Sequence, residues 1–190
     1  MKGYIYTMFA GADPGKGWEM TDPIFGNPTT LGACMPQIRR NVEQNDHIFT
    51  ISGRIAGVKQ YLVGGFQVQE KIDAMIARER FPQYRQQLKD DGSIIGNIIV
   101  DANGKQNDFD YHDGNFEKRI ENYIIGKNPI YFTKEEEIEA ARGEVTMEIL
   151  REVFKKNGGS TPFDIIGRWS KVNEGQIDQL VSFIKEIKGS

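Results

Sequence analysis

From the N-terminus, apolar and polar positions alternate with period two through the aromatic-rich run Gly3 to Ala10, as a half-buried strand requires. The pattern then stops. Asp13 to Pro28 has no period and is broken repeatedly by glycine and proline, which predicts a long irregular loop of the kind that often carries function. Thr30 is placed to cap a short helix running through about Asn41, with Pro36 near its start or breaking it. His47 to Ser52 and Tyr61 to Gln69 read as strands around a RIAGVK turn. A helical face of Ile72, Met75 and Ile76 follows from about Lys71 and is ended or divided by Pro82. Ile94 to Val100 is β-branched. Ala102-Asn103-Gly104-Lys105 is a hairpin turn, because Asn-Gly tolerates the positive φ angles of a type I′ turn. His112 to Asn115 reads as a second turn and Tyr123 to Phe132 as a further strand.

After Thr133 the period lengthens to that of a helix. Thr133 and Glu136 have capping-box spacing, and Met147, Leu150, Val153 and Phe154 form a stripe that ends at Gly158-Gly159. Asn173 is placed to cap a last helix whose apolar positions are Ile177, Leu180, Val181, Ile184 and Ile187. Such stripes bury themselves in a core. The expected fold is α+β and a single domain over residues 1–190. Residues 1–132 form a curved β-sheet or pseudobarrel, and residues 133–190 form a helical part packed on it.

Composition narrows the function. A chain of 190 residues suits one domain with a sizeable core. Lys+Arg 24 against Asp+Glu 27 leaves a net charge of -3, which argues against nonspecific coating of nucleic acid but permits a local basic pocket. Cys34 is the only cysteine and His47 and His112 the only histidines, too few for a structural zinc site, and no metal is expected. No stretch approaches the roughly 20 apolar residues of a membrane span. The N-terminal run MKGYIYTMFAG reads as a strand rather than a signal peptide, so the expected location is cytoplasmic, with no membrane partner.

Two motif-like stretches fail on spacing. GADPGKG, from Gly11, has three residues between its glycines where a P-loop needs four, and Gly17 stands at the Ser/Thr position. DANGKQNDFD, from Asp101, puts Lys105 where a calcium loop needs an oxygen ligand. His47 and His112 have no neighbours in sequence that make a triad. Cys34 lies between Ala33 and Met35 in an apolar patch and is expected to be structural, since reactive thiols need an electropositive, accessible setting.

The first third offers more chemistry. Trp18 and Phe25 can stack on a base, Asn27 and Asp46 can read its hydrogen-bonding edge, and Arg39 or Arg40 can fork onto a phosphate. Asp13, Asp22 and Asp46 are the candidates for a general acid or base, if burial raises their pKa. Against this, aromatics commonly fill a core, an aspartate commonly starts a strand, and arginines commonly close a helix C-terminus.

The element order resembles the second family of nucleotide-modification-associated domains, related to the PUA, EVE and ASCH folds. The residues that carry the resemblance are Asp13, Gly15, Asp22-Pro23-Ile24-Phe25-Gly26, the block Thr30-Leu31-Gly32-Ala33-Cys34-Met35-Pro36-Gln37-Ile38-Arg39-Arg40, and Asn45-Asp46-His47-Ile48. Val63 to Val68, Tyr123 to Lys127 and Gly167-Arg168-Trp169 fit more loosely. Asn45 and His47 depart from the family pattern, which has a glycine and an aromatic there. The resemblance implies a PUA-like pseudobarrel with flanking helices. It would recognise a modified base or nucleotide, free or in DNA or RNA, without a cofactor, in nucleic-acid modification or conflict with phage. The alternatives are an enzyme that modifies or removes a base, and a protein-interaction module using the acidic C-terminal helices.

Overall fold

The computed structural model describes every residue except Asp113 and Ser190. The turn expected at His112 to Asn115 includes Asp113 and so lies outside the described residues. The strands are β1 (Lys2–Thr7), β2 (Thr29–Leu31), β3 (His47–Ile51), β4 (Leu62–Ile72), β5 (Gln87–Leu88), β6 (Ile94–Ile95), β7 (Tyr123–Tyr131) and β8 (Trp169–Asn173). The helices are α1 (Pro36–Asn41), α2 (Ala74–Arg80), α3 (Phe116–Ile120), α4 (Glu135–Ala141), α5 (Glu144–Phe154), α6 (Pro162–Ile166) and α7 (Glu174–Gly189).

Six strands form one mixed sheet in the order β2-β7-β4-β3-β1-β8, and β5 pairs only with β6. β1 runs parallel to β3, while β8 is antiparallel to β1, β4 to β3 and β2 to β7. The fold is therefore α+β, as the pattern predicts, but the sheet is open. A barrel closes only when its first and last strands pair. Here β2 and β8 are edges, and the expected pseudobarrel does not form. No described helix is long and apolar enough to cross a membrane.

By contacts the chain divides into two compact units: Met1–Trp18 with Asp46–Gln67 and Asn128–Ser190, and Glu19–Asn45 with Val68–Lys127. In the first unit, Tyr4, Ile5 and Tyr6 of β1 and Ile48, Phe49 and Ile51 of β3 are buried with Met147, Leu150 and Val153 of α5 and Ile177, Leu180 and Ile184 of α7. The two predicted helical stripes are thus core faces. The predicted helix cap at Thr133 moves by one residue: Glu137 accepts the backbone N–H groups of Thr133 and Lys134, and the helix starts at Glu135. Strand β8 interrupts the helical third, pairing with β1 from Lys2↔Asn173 to Tyr6↔Trp169.

In the second unit Ala74, Ala77, Ile98, Val100, Tyr123 and Ile125 form the core, with Phe81, Tyr84 and Phe116 packed against it. Thr30 does not cap a helix. It lies in β2, paired with Ile125, and the helix begins only at Pro36, where a missing N–H costs nothing. A turn forms at Asn103-Gly104, closed by the antiparallel Val100–Gln106 bridge, but it is not the expected type I′, because Asn103 does not take a positive φ. Asp101 Oδ1 accepts the N–H groups of both Asn103 and Lys105, and Gly104 has φ 76°.

Candidate functional site

A densely connected polar cluster in the second unit begins at Asp22. Ile24 and Thr30 exchange backbone hydrogen bonds at 2.9 Å, which closes the segment between them and holds Asp22 against the chain just after β2. The Asp22 carboxylate accepts the N–H of Gly32 at 2.7 Å, of Ala33 at 2.9 Å and of Cys34. Asn97 donates to it at 3.0 Å and to Thr30 Oγ1 at 3.0 Å, and accepts the Tyr123 hydroxyl at 2.7 Å. A Cβ at Gly32 would lie 2.4 Å from both the Asn97 carbonyl and the Tyr123 ring, so only glycine allows this approach. Asp22 is 5% exposed, and its role here is to fix three successive amides.

Those amides fix Cys34. Its Sγ lies 3.7 Å from His112 Nε2, across 78 residues of sequence, and His112 Nδ1 lies 2.8 Å from Asp110 Oδ1. Asp110 is in turn held by Gln86 Nε2 at 2.8 Å and Gln106 Nε2 at 2.7 Å, and Gln106 also donates to the His112 carbonyl at 3.0 Å. Burial raises the Asp110 carboxyl, but hydrogen bonds from His112, Gln86 and Gln106 outweigh it and hold the group below its ordinary range. A carboxylate only accepts. The ring nitrogen facing it must therefore donate, and in the neutral form of the ring the lone pair is then on Nε2, which faces the thiol.

The thiol itself is pushed well above its ordinary value, first by burial and then by the charge and hydrogen bonding of Asp22, with Arg39 and Arg119 pulling the other way. Its resting form is a neutral S–H. The arrangement suits a thiol that gives its proton to His112 as it attacks, rather than a standing thiolate–imidazolium pair. Beside it, the Tyr111 ring stacks on His112 with centroids 4.5 Å apart and is 51% exposed.

The residues singled out in sequence fall elsewhere. In the first unit, Asp13 is buried and bound by Arg142 Nη1 at 2.8 Å and Nη2 at 3.2 Å, and it accepts the N–H of Gly15. Asp46 immediately precedes β3 and accepts the N–H of Lys2 at 3.3 Å. Trp18 sits edge-on against Phe9, centroids 5.4 Å apart. In the second unit, Phe25 is half-buried and Asn27 exposed. Arg40 is exposed, and its carbonyl accepts Lys71 Nζ at 3.1 Å. Arg39 has no exposed surface. Nε donates to the Cys34 carbonyl at 2.8 Å, Nη1 to those of Arg119 at 2.8 Å and Asn122 at 2.6 Å, and Nη2 to that of Ala33 at 3.1 Å. This geometry braces the Cys34 segment from below and offers a phosphate no approach to that guanidinium.

Sequence reasoning set His112 aside for want of a readable triad and did not consider Asp110 as its partner. One local signal was present: Asp110-Tyr111-His112 outside a helix puts the two hydrogen-bonded side chains two residues apart, the spacing that shares a side in extended chain. Nothing local linked them to Cys34. No known protein family, curated protein or solved structure matches the chain.

Proposed function

We propose that the chain is an enzyme that uses Cys34 as a covalent nucleophile, with His112 as general base and Asp110 as the positioning residue. One observation carries the reading: Cys34 Sγ lies 3.7 Å from His112 Nε2 and His112 Nδ1 lies 2.8 Å from Asp110 Oδ1, so that a neutral ring donating to Asp110 has Nε2 free to accept the thiol proton. In the step proposed, the S–H proton passes to His112 Nε2 while the sulfur bonds to an electrophilic carbon. Asp110 stabilises the imidazolium, which later returns the proton to the adduct or leaving group.

For the substrate, the reading adopts the class implied by the sequence resemblance, a modified base or nucleotide. The exposed Tyr111 ring supports it, because an aromatic face beside the thiol is a stacking surface for a planar ring. The relation to the PUA, EVE and ASCH folds, and a setting in nucleic-acid modification or phage conflict, belong to the same proposal. Their support is the TLGACMPQIRR block, which supplies Cys34 and the Arg39 brace. Incubation with modified nucleotides and oligonucleotides, followed by mass spectrometry of protein and small molecules, tests the reading. The expected result is a converted product or a mass gain on Cys34, absent from Cys34→Ala. Retention without conversion or adduct would overturn it in favour of simple recognition.

A further inference from the structure

Among the described residues, four charged groups are tied to the Cys34 segment, and three of them are spent. Asp22 is consumed by three amides and Asn97. Asp110 is consumed by His112 and two glutamines. Arg39 directs its guanidinium at four backbone carbonyls. The fourth is Arg119 on α3, and it differs.

Arg119 Nη1 donates to the carbonyl of Ala33, the residue before Cys34, at 2.8 Å, and Nε reaches the Gly114 carbonyl at 3.4 Å. Its Nη2 makes no hydrogen bond, and no carboxylate pairs with the guanidinium, among the described residues. The side chain is half-buried, so its charge is less screened than that of a surface arginine. Its position is also secured. The Arg119 carbonyl accepts Arg39 Nη1 at 2.8 Å, which ties α3 to the same brace that holds the thiol segment. The positive charge of Arg119 acts on the thiol directly, drawing it down against burial and Asp22. A half-buried guanidinium, fixed next to a nucleophile and with a nitrogen to spare, is the equipment of an oxyanion subsite.

We propose that Arg119 Nη2 holds an anionic group of the substrate, carboxylate or phosphate oxygens, while Cys34 attacks a carbon nearby. The inference rests on the reading of Cys34 as nucleophile and adds the substrate's charge to it.

Because Cys34 is the only cysteine, alkylation reports on this thiol alone. Iodoacetate and iodoacetamide are nearly the same size and differ in charge. Their rate ratio on the folded protein is compared with that on N-acetylcysteine under the same buffer. The expected ratio is about tenfold or more in favour of iodoacetate relative to the free thiol, a single charge-assisted contact's worth. Arg119→Gln should return the ratio to the free-thiol value, while Arg119→Lys keeps the charge and most of the preference. At constant ionic strength, slowing of iodoacetate by inorganic phosphate but not acetate assigns a phosphate-bearing substrate, and the reverse assigns a carboxylate. A wild-type ratio equal to that of the free thiol, or protection by neither anion, overturns the inference and leaves the nucleophile reading standing. If neither reagent labels the folded protein but both label it in urea, the nucleophile reading itself fails.

Discussion

Arg39→Met should cost most or all of the stability of the fold. The guanidinium is fully buried and serves four backbone carbonyls, those of Ala33, Cys34, Arg119 and Asn122. Burial pushes it down only to about 10, so it carries its charge at neutral pH. Leaving a buried acceptor unsatisfied costs about 1–3 kcal/mol, and four of them approach the whole of a typical stability of about 5–15 kcal/mol. Lysine has the charge but not the planar fork, so Arg39→Lys should recover only part of the loss. Arg40→Ala, one residue on and exposed, should change stability by no more than about 0.5 kcal/mol. Urea unfolding of the three variants reads the difference. An Arg39→Met protein within about 1 kcal/mol of the wild type would mean that the brace is not needed.

The second large effect belongs to Asp22. Asp22→Asn keeps the size but removes the charge and turns an NH2 donor towards two of the donors, either those of Gly32 and Asn97 or the N–H groups of Ala33 and Cys34. Hydrogen bonds to a charged group are worth about 1.5–3 kcal/mol each, so the expected loss is at least about 2 kcal/mol even if the segment relaxes. Thiol placement should suffer with it, because the Cys34 amide is one of the three. Thermal or urea unfolding checks the first part. An unchanged midpoint would remove Asp22 from the account of how Cys34 is held.

The two arginines show what could be read from sequence. The TLGACMPQIRR block stands out in a bare sequence, and the structure gives it a demanding job. Which arginine does it could not be read, because burial depends on carbonyls at 119 and 122, far along the chain. Helical stripes in α5 and α7 were legible because period and burial are local properties of the same residues. Strand β2 was misread as the start of a helix. It has three residues, and its pairing with β7 supplies what local propensity does not. Strand β8 was missed for the same reason. Edge closure depends on which strands meet, and no period announces that, so the sequence left a curved sheet and a pseudobarrel as alternatives and only the pairing decides for the open sheet. The contact between Cys34 and His112 was the least legible feature. Cys34 was judged by its apolar neighbours, whereas its partner lies 78 residues away.

The most direct measurement is the rate of iodoacetamide labelling of Cys34 against pH, in the folded wild type and in His112→Ala and Asp110→Asn. Burial and Asp22 keep the isolated thiol protonated, so without a base labelling should stay slow until the pH is well above 9.0. With His112 as base, the wild type should label at pH 7.5 about a hundredfold faster than His112→Ala or more, the low end of what a positioned base contributes. Asp110→Asn should fall between them, because it loosens the ring without removing it. A His112→Ala protein that is folded and labels as fast as the wild type across this range would contradict the assignment of Cys34 and His112 as a catalytic pair.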